Sequence, residues 1–224
     1  TMRCLLLWMM IVLTANICIG QPGSQIYFTI SVPDSWEITG VGCNGITAVD
    51  STNPARGIIA LNHLHQGFDI LPSYTTPETY VEYYMPQDFS IEGNQITNMT
   101  IIAYEDNQDI ANAYVSWTGV LGSAKSMRCS FEVNGIPAEG SFTVATRELF
   151  GYGTTVDLLF GIFAPAGQFE MDAPMLLGAI DSIRLIRDYF CICFDCPAYG
   201  CDYHCTNGCC DHPCDEYDRC KEAE

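Results

Sequence analysis

The sequence predicts an α+β protein: an antiparallel sheet flanked by helices, followed by a small cysteine-rich appendage. Three observations lead there. Period-two runs of β-formers fill much of the middle of the chain, beginning with Ile26, Phe28, Ile30 and Val32 set against Tyr27, Thr29 and Ser31. Two helical signals interrupt them without any strand–helix–strand alternation, which disfavours a parallel sheet. Past residue 187 the apolar residues give way to nine cysteines, at 191, 193, 196, 201, 205, 209, 210, 214 and 220. Such a segment cannot bury a core of its own and needs cross-links in its place.

In order, Met2 and Arg3 precede the apolar run from Cys4 to Ile19, which is shorter than the ~20 residues of a spanning helix. Residues 1–20 are expected to be a secretory signal, cut before Gln21; an uncleaved anchor is the alternative. A lipoprotein reading would lipidate Cys18, but Ile17 stands where that signal wants a small residue. Membrane association is expected only through this N-terminus. After the first strand, Pro33-Asp34 turns the chain and Trp36 and Ile38 continue it briefly. Residues 46–49 and 58–64 read as strands on either side of a turn from Asp50 to Pro54. Thr76-Pro77-Glu78 is a helix start, with Thr76 as N-cap, and the helix should stop at Pro86. Strands are expected at 95–104, 110–118, 124–133, 138–147 and 154–163, with a hairpin at Asn134-Gly135. A last helix should start near Ala173-Pro174 and carry Leu176, Ala179, Ile180 and Ile183 on one face. The main domain is thus 21–187 and the tail 188–224.

Phe28 to Trp36, Asn53-Pro54 with Gly57-Ile58-Ile59, and Thr76 to Val81 resemble the opening half of PsbP-like, Mog1/DcrB-type domains. The Asn134-Gly135 hairpin, Ala164-Pro165-Ala166 and Asp181-Ser182-Ile183 resemble the second half. The resemblance covers residues 25–186. It implies a sheet sandwiched by helices, usually in an exported protein, with no catalytic residues to carry over. The cysteine tail lies outside that pattern.

Charge bounds the partners. The chain carries 27 acidic against 9 basic residues, a formal net charge of −18, which repels nucleic-acid backbones and anionic lipid surfaces. Removing Cys4 and Cys18 with the leader from the 13 cysteines leaves eleven, an odd number: Cys43, Cys129 and the nine of the tail. Pairing Cys43 with Cys129 would leave the tail four bridges and a spare thiol, able to join a second chain; a main-domain cysteine bonded to the tail is the other arrangement. In an exported chain disulfides are the first expectation. The rival is zinc or another soft ion held by Cys193, Cys196, Cys201, His204, Cys205, Cys209, Cys210, His212 and Cys214. The gaps after the one C-x2-C do not form paired zinc knuckles.

Other motifs are weaker. His63 and His65, two apart on a predicted strand, should share a face. With Ile59 and Leu61 beside them, burial is favoured over ligation. Asp211, Asp215, Glu216 and Asp218 lack the spacing of a calcium loop and read as a solvated acidic end. Gly151-Tyr152-Gly153 is a turn before a strand, and Asn98-Met99-Thr100 a glycosylation sequon. No catalytic motif and no cofactor signature is present in the sequence. The function expected is therefore a non-enzymatic, extracytoplasmic module whose tail meets a protein partner at the cell surface. A metal-handling tail is the alternative.

Overall fold

The computed structural model describes residues 14–20, 26–42, 44–65, 67–90, 94–118, 122–149 and 151–185. The fold is the predicted one, an antiparallel sheet with helices packed on it. The strands are β1 (Thr14–Gly20), β2 (Ile26–Pro33), β3 (Trp36–Gly42), β4 (Gly45–Asp50), β5 (Asn53–Leu64), β6 (Ile96–Asp106), β7 (Gly122–Val133), β8 (Ile136–Glu148), β9 (Thr154–Pro165) and β10 (Arg184–Leu185). The helices are α1 (Pro77–Thr79), α2 (Met85–Ser90), α3 (Gln108–Thr118) and α4 (Phe169–Asp181), with a π-helical turn, Tyr80–Tyr84, joining α1 to α2. Seven strands form the main sheet in the order β3-β4-β5-β9-β8-β7-β6, and β1-β2-β10 form a second, smaller one. No helix among the described residues is long and apolar enough to cross a membrane.

Each face of the main sheet buries its own core, which the period-two pattern requires. On one face Met127, Cys129, Phe131, Phe142, Leu159 and Phe163 pack under Tyr80, Val81, Met85 and Phe89. On the other, Ile46, Ile58 and Ile162 pack against Ile30 and Val32 of β2 and Phe169, Leu176 and Ile180 of α4. The hairpin between β7 and β8 has both central residues left-handed, Asn134 at φ 53° and Gly135 at φ 79°. That twist matches the flanking strands and fixes Val133 opposite Ile136. At the β6 edge, register shifts at Thr97–Thr100 and Ile101–Ala103 interrupt the ladder, which blunts an exposed edge.

Four local expectations need correction. Residues 110–118 are helix α3, not a strand. Asn107 caps it, its Oδ1 accepting the Ile110 N–H at 3.2 Å, and Ala111 lets the helix sit close on Ala124 and Ala145. The helix after Thr76 does not stop at Pro86 but runs to Ser90. In the preceding π turn the Met85 N–H bonds the Tyr80 carbonyl, five residues back, and this widened turn takes in a proline that an α-helical interior resists. The last helix begins at Phe169, four residues before Ala173, because Gln168 and the Phe169 anchor start it and Pro174 is carried inside. Finally, β5 begins at Asn53 and not at Ile58, leaving a two-residue turn at Ser51-Thr52 that the Asp50 carboxylate caps.

Candidate functional site

The densest polar construction sits where β5 gives way to the loop leading into α1. His65 is the hinge. Its φ of 53° is left-handed, so the strand's alternation ends there and the ring swings under the helix. Nε2 lies 2.9 Å from Asp88 Oδ2, and Nδ1 lies 3.1 Å from the Asp69 carbonyl oxygen and 3.0 Å from its Oδ2. Tyr80 donates its hydroxyl to the same Asp88 oxygen at 2.8 Å and meets the imidazole edge-on at 5.7 Å. Burial works against a charged His65, but the hydrogen bonds and charges of Asp88 and Asp69 outweigh it, so its pKa is raised. Burial first, and then the Asp88 charge, push the Tyr80 phenol well above its ordinary value.

Both ring nitrogens face oxygen acceptors, so the doubly protonated imidazole satisfies both contacts, and in that state no lone pair is left for a metal or a substrate proton. The arrangement is a latch that ties the end of β5 and the turn at Gly67–Asp69 to α2. The premise that His63 and His65 share a strand face fails at the left-handed φ, while the expected burial of His65 holds, its side chain being 8% exposed. The side chain of His63 lies outside the described residues.

The latched loop is pinned again farther on. Leu71 exchanges backbone hydrogen bonds with Thr154, and Thr75 donates its N–H to Thr154 Oγ1 at 3.2 Å. Glu148 accepts from Thr154 Oγ1 at 2.8 Å and from the Tyr74 N–H at 2.9 Å, and these bonds hold its carboxyl below the usual range. Tyr74 itself is left-handed, φ 65°, a conformation costing about 1 kcal/mol or more that these partners must offset. Between these anchors the loop turns apolar rings outward. Phe68 is fully exposed and Tyr74 is 85% exposed, and Tyr152, in the turn of the adjoining β8–β9 hairpin, is 84% exposed. Gly153, next to Tyr152, lies against Leu71 and Ile70, so the β8–β9 turn adjoins the loop that carries Phe68 and Tyr74. Gly151-Tyr152-Gly153 is the expected turn, with both glycines at positive φ.

Elsewhere four basic side chains are paired with acids: Arg147 with Asp157, Arg128 with Glu139 and Glu170, Arg56 with Asp50 and Asp172, Lys125 with Glu78 and Asp106. A void of about 20 Å³ between α2 and the sheet, room for one water, is lined mainly by apolar groups such as Ile58, Phe89, Val133 and Phe163. Among the described residues no group of three His, Cys, Asp or Glu side chains is placed to hold a metal ion. The expected zinc ligands, Cys193, Cys196, Cys201, His204, Cys205, Cys209, Cys210, His212 and Cys214, lie outside the described residues, as do Cys43, Cys191, Cys220 and the acids of the tail.

Cys129 is described, and it does not fit a bridge to Cys43, the first of the two arrangements considered from the sequence. It is fully buried in the core, its thiol pushed up to about 12, chiefly by burial. Gly42, the chain neighbour of Cys43, ends β3, five strand spacings from β7 in the sheet order. At roughly 4.8 Å per spacing the two strands stand about 24 Å apart along the sheet, against the ~7 Å that a disulfide tolerates between Cα atoms.

No family model matches the chain, and no curated protein matches it. Among solved structures it is similar to the cyanobacterial PsbP, CyanoP, of Synechocystis, at 11% identity over 71% of this chain and 86% of that one, with a TM-score of 0.33. It is also similar to the protein Mog1, at 11% identity over 71% of this chain and 90% of that one, with a TM-score of 0.25. At these values no residue role passes from either protein to this one.

Proposed function

We propose that the chain is an exported, non-enzymatic display module, a rigid sheet–helix domain that presents a disulfide-knotted tail to a protein partner outside the cytoplasm. The observation that carries this reading is the burial of Cys129. With that thiol sequestered, a cut before Gln21, which would take strand β1 and Cys18 with it, leaves ten available cysteines, Cys43 and the nine of the tail, an even set with no spare thiol. The polar side chains of the latch, engaged with one another, support the non-catalytic half of the reading.

The test is alkylation of the purified full-length chain without reductant, followed by peptide mass mapping. Ten cysteines blocked, with Cys129 labelled only after denaturation, is the expected result. Tail cysteines that all alkylate in the native, unreduced protein would overturn it. Together with a bound soft metal, that outcome would favour the zinc-binding tail.

A further inference from the structure

Asn98-Met99-Thr100 is the single Asn-x-Ser/Thr triplet among the 224 residues, and it lies in β6, the outer strand of the main sheet. Such triplets also arise by chance, so the placement of this one decides what it can do. Thr97 pairs with Glu132 and Thr100 with Ser130, which leaves two residues, Asn98 and Met99, opposite the one residue Phe131. That is a β-bulge. Asn98 takes a left-handed position in it, φ 56°, which asparagine adopts more readily than most residues.

The bulge changes which side chain faces the core. In an unbroken strand Asn98 would share the face of Ile96, which is buried. The extra residue turns Asn98 out and brings Met99 against the core in its place, so that Asn98 and Thr100 are both exposed. The Asn98 side-chain amide has no hydrogen-bond partner among the described residues. The Thr100 hydroxyl makes one long contact, 3.5 Å, to the Asn98 carbonyl oxygen. Because β6 ends the sheet order, no further strand of the main sheet stands beside the amide.

We propose that Asn98 is an N-linked glycosylation site, with the Thr100 hydroxyl as the second group the transferase requires. The proposal rests on the reading of the chain as exported, because the sugar donor, an oligosaccharide on a polyprenyl diphosphate, is met outside the cytoplasm. In the transfer, Asn98 Nδ2 forms a bond to the anomeric carbon of the donor sugar and gives up one proton. The bond from that carbon to the diphosphate oxygen breaks, and the polyprenyl diphosphate leaves with the electron pair. The bulge is what lets the folded domain carry the product. A sugar on the face of Ile96 would have to enter the core, whereas on the outward side it projects into solvent.

The test produces the full-length chain in a secretory host that N-glycosylates, once with its own N-terminus and once behind a cleavable foreign leader. The chain secreted behind the foreign leader should carry a glycan at Asn98. An amidase that cuts the asparagine–sugar bond should remove it and leave an aspartate at position 98 in peptide mass mapping. Thr100→Ala should abolish the glycan and Thr100→Ser should keep it. Both variants leave Asn98 and its left-handed turn in place, so an asparagine present only for its backbone would not produce that split. A secreted wild type without the glycan, or Thr100→Ala modified as fully as the wild type, would overturn the proposal. A glycan behind the foreign leader, with none on the chain using its own N-terminus, would support the site and overturn the export reading instead.

Discussion

His65 and Asp88 are joined across 23 residues of sequence by one 2.9 Å contact, and that contact closes the loop carrying Phe68 and Tyr74 onto α2. The imidazole bridges an exposed acid, Asp69, and a partly buried one, Asp88, so its removal strands Asp88 and the Tyr80 hydroxyl together. His65→Gln should cost about 1–3 kcal/mol at pH 5.5, the penalty of a charged hydrogen bond lost in a buried setting. The folded-state pKa is raised, so this contribution is fully present below the unfolded value of about 6.5. It declines as pH climbs through the folded value. Urea melts of the wild type and His65→Gln should therefore diverge most in mild acid and converge in alkali. A gap that widens with rising pH would show that His65 is held neutral.

Cys129 illustrates how burial decides reactivity. A thiol pushed up to about 12 and shielded by Phe131, Phe142 and Val144 has almost no thiolate near neutral pH. In the native protein it should react with iodoacetamide orders of magnitude more slowly than a free thiol, and at full speed once unfolded. Cys129→Ser should destabilise by about 1–3 kcal/mol by burying an unpartnered hydroxyl, and Cys129→Val by less. Rapid native labelling would mean that this face of the sheet opens.

The strands of the main sheet were legible because their side chains alternate between two faces that are both packed: Met127, Cys129, Phe131 and Val133 of β7 enter one core, as the sequence spacing requires. The Asn134-Gly135 hairpin was legible because few residue pairs tolerate two left-handed positions. Helix α3 was misread because Ile110, Tyr114, Val115 and Trp117 are β-formers by composition, while the deciding feature is the Asn107 cap placed between two antiparallel strands. The latch was half visible. His65 was marked as a buried histidine, but its partners Asp69, Tyr80 and Asp88 are joined to it only by the fold, through a left-handed φ that histidine tolerates better than most residues. A histidine at the end of a strand, followed by Gln-Gly, was the available signal.

Phe142 occupies space that two glycines leave open. A Cβ at Gly161 would overlap its ring, and one at Gly140 would stand 2.7 and 2.8 Å from two of its atoms. Neither glycine has a positive φ, so the demand is for room rather than for backbone freedom. Gly161→Ala should destabilise by about 1–3 kcal/mol, as overpacking does in a filled core. Combining it with Phe142→Leu should cost less than the two single changes added, because the smaller side chain relieves the overlap. Additive losses in denaturant melts would show that the strand backbones, and not the ring, set the limit.

Arg147 and Asp157 form a two-pronged pair between β8 and β9, Nε to Oδ2 at 2.7 Å and Nη2 to Oδ1 at 3.0 Å, with Thr155 Oγ1 adding a third bond to Oδ1 at 2.9 Å. Asp157 is 1% exposed, so its carboxylate has little water to fall back on. Taking one partner away leaves an uncompensated charge in that setting. Asp157→Ala should therefore cost about 3–5 kcal/mol, and Arg147→Met a similar amount, since it leaves the buried Asp157 without its guanidinium. Replacing both, with Arg147→Met and Asp157→Leu, removes the desolvation of two ions along with their attraction. The double variant should recover at least half of either single loss. Thermal or denaturant melts of the four proteins give the coupling directly. A double variant as unstable as the sum of the singles would mean that the two side chains are not energetically coupled.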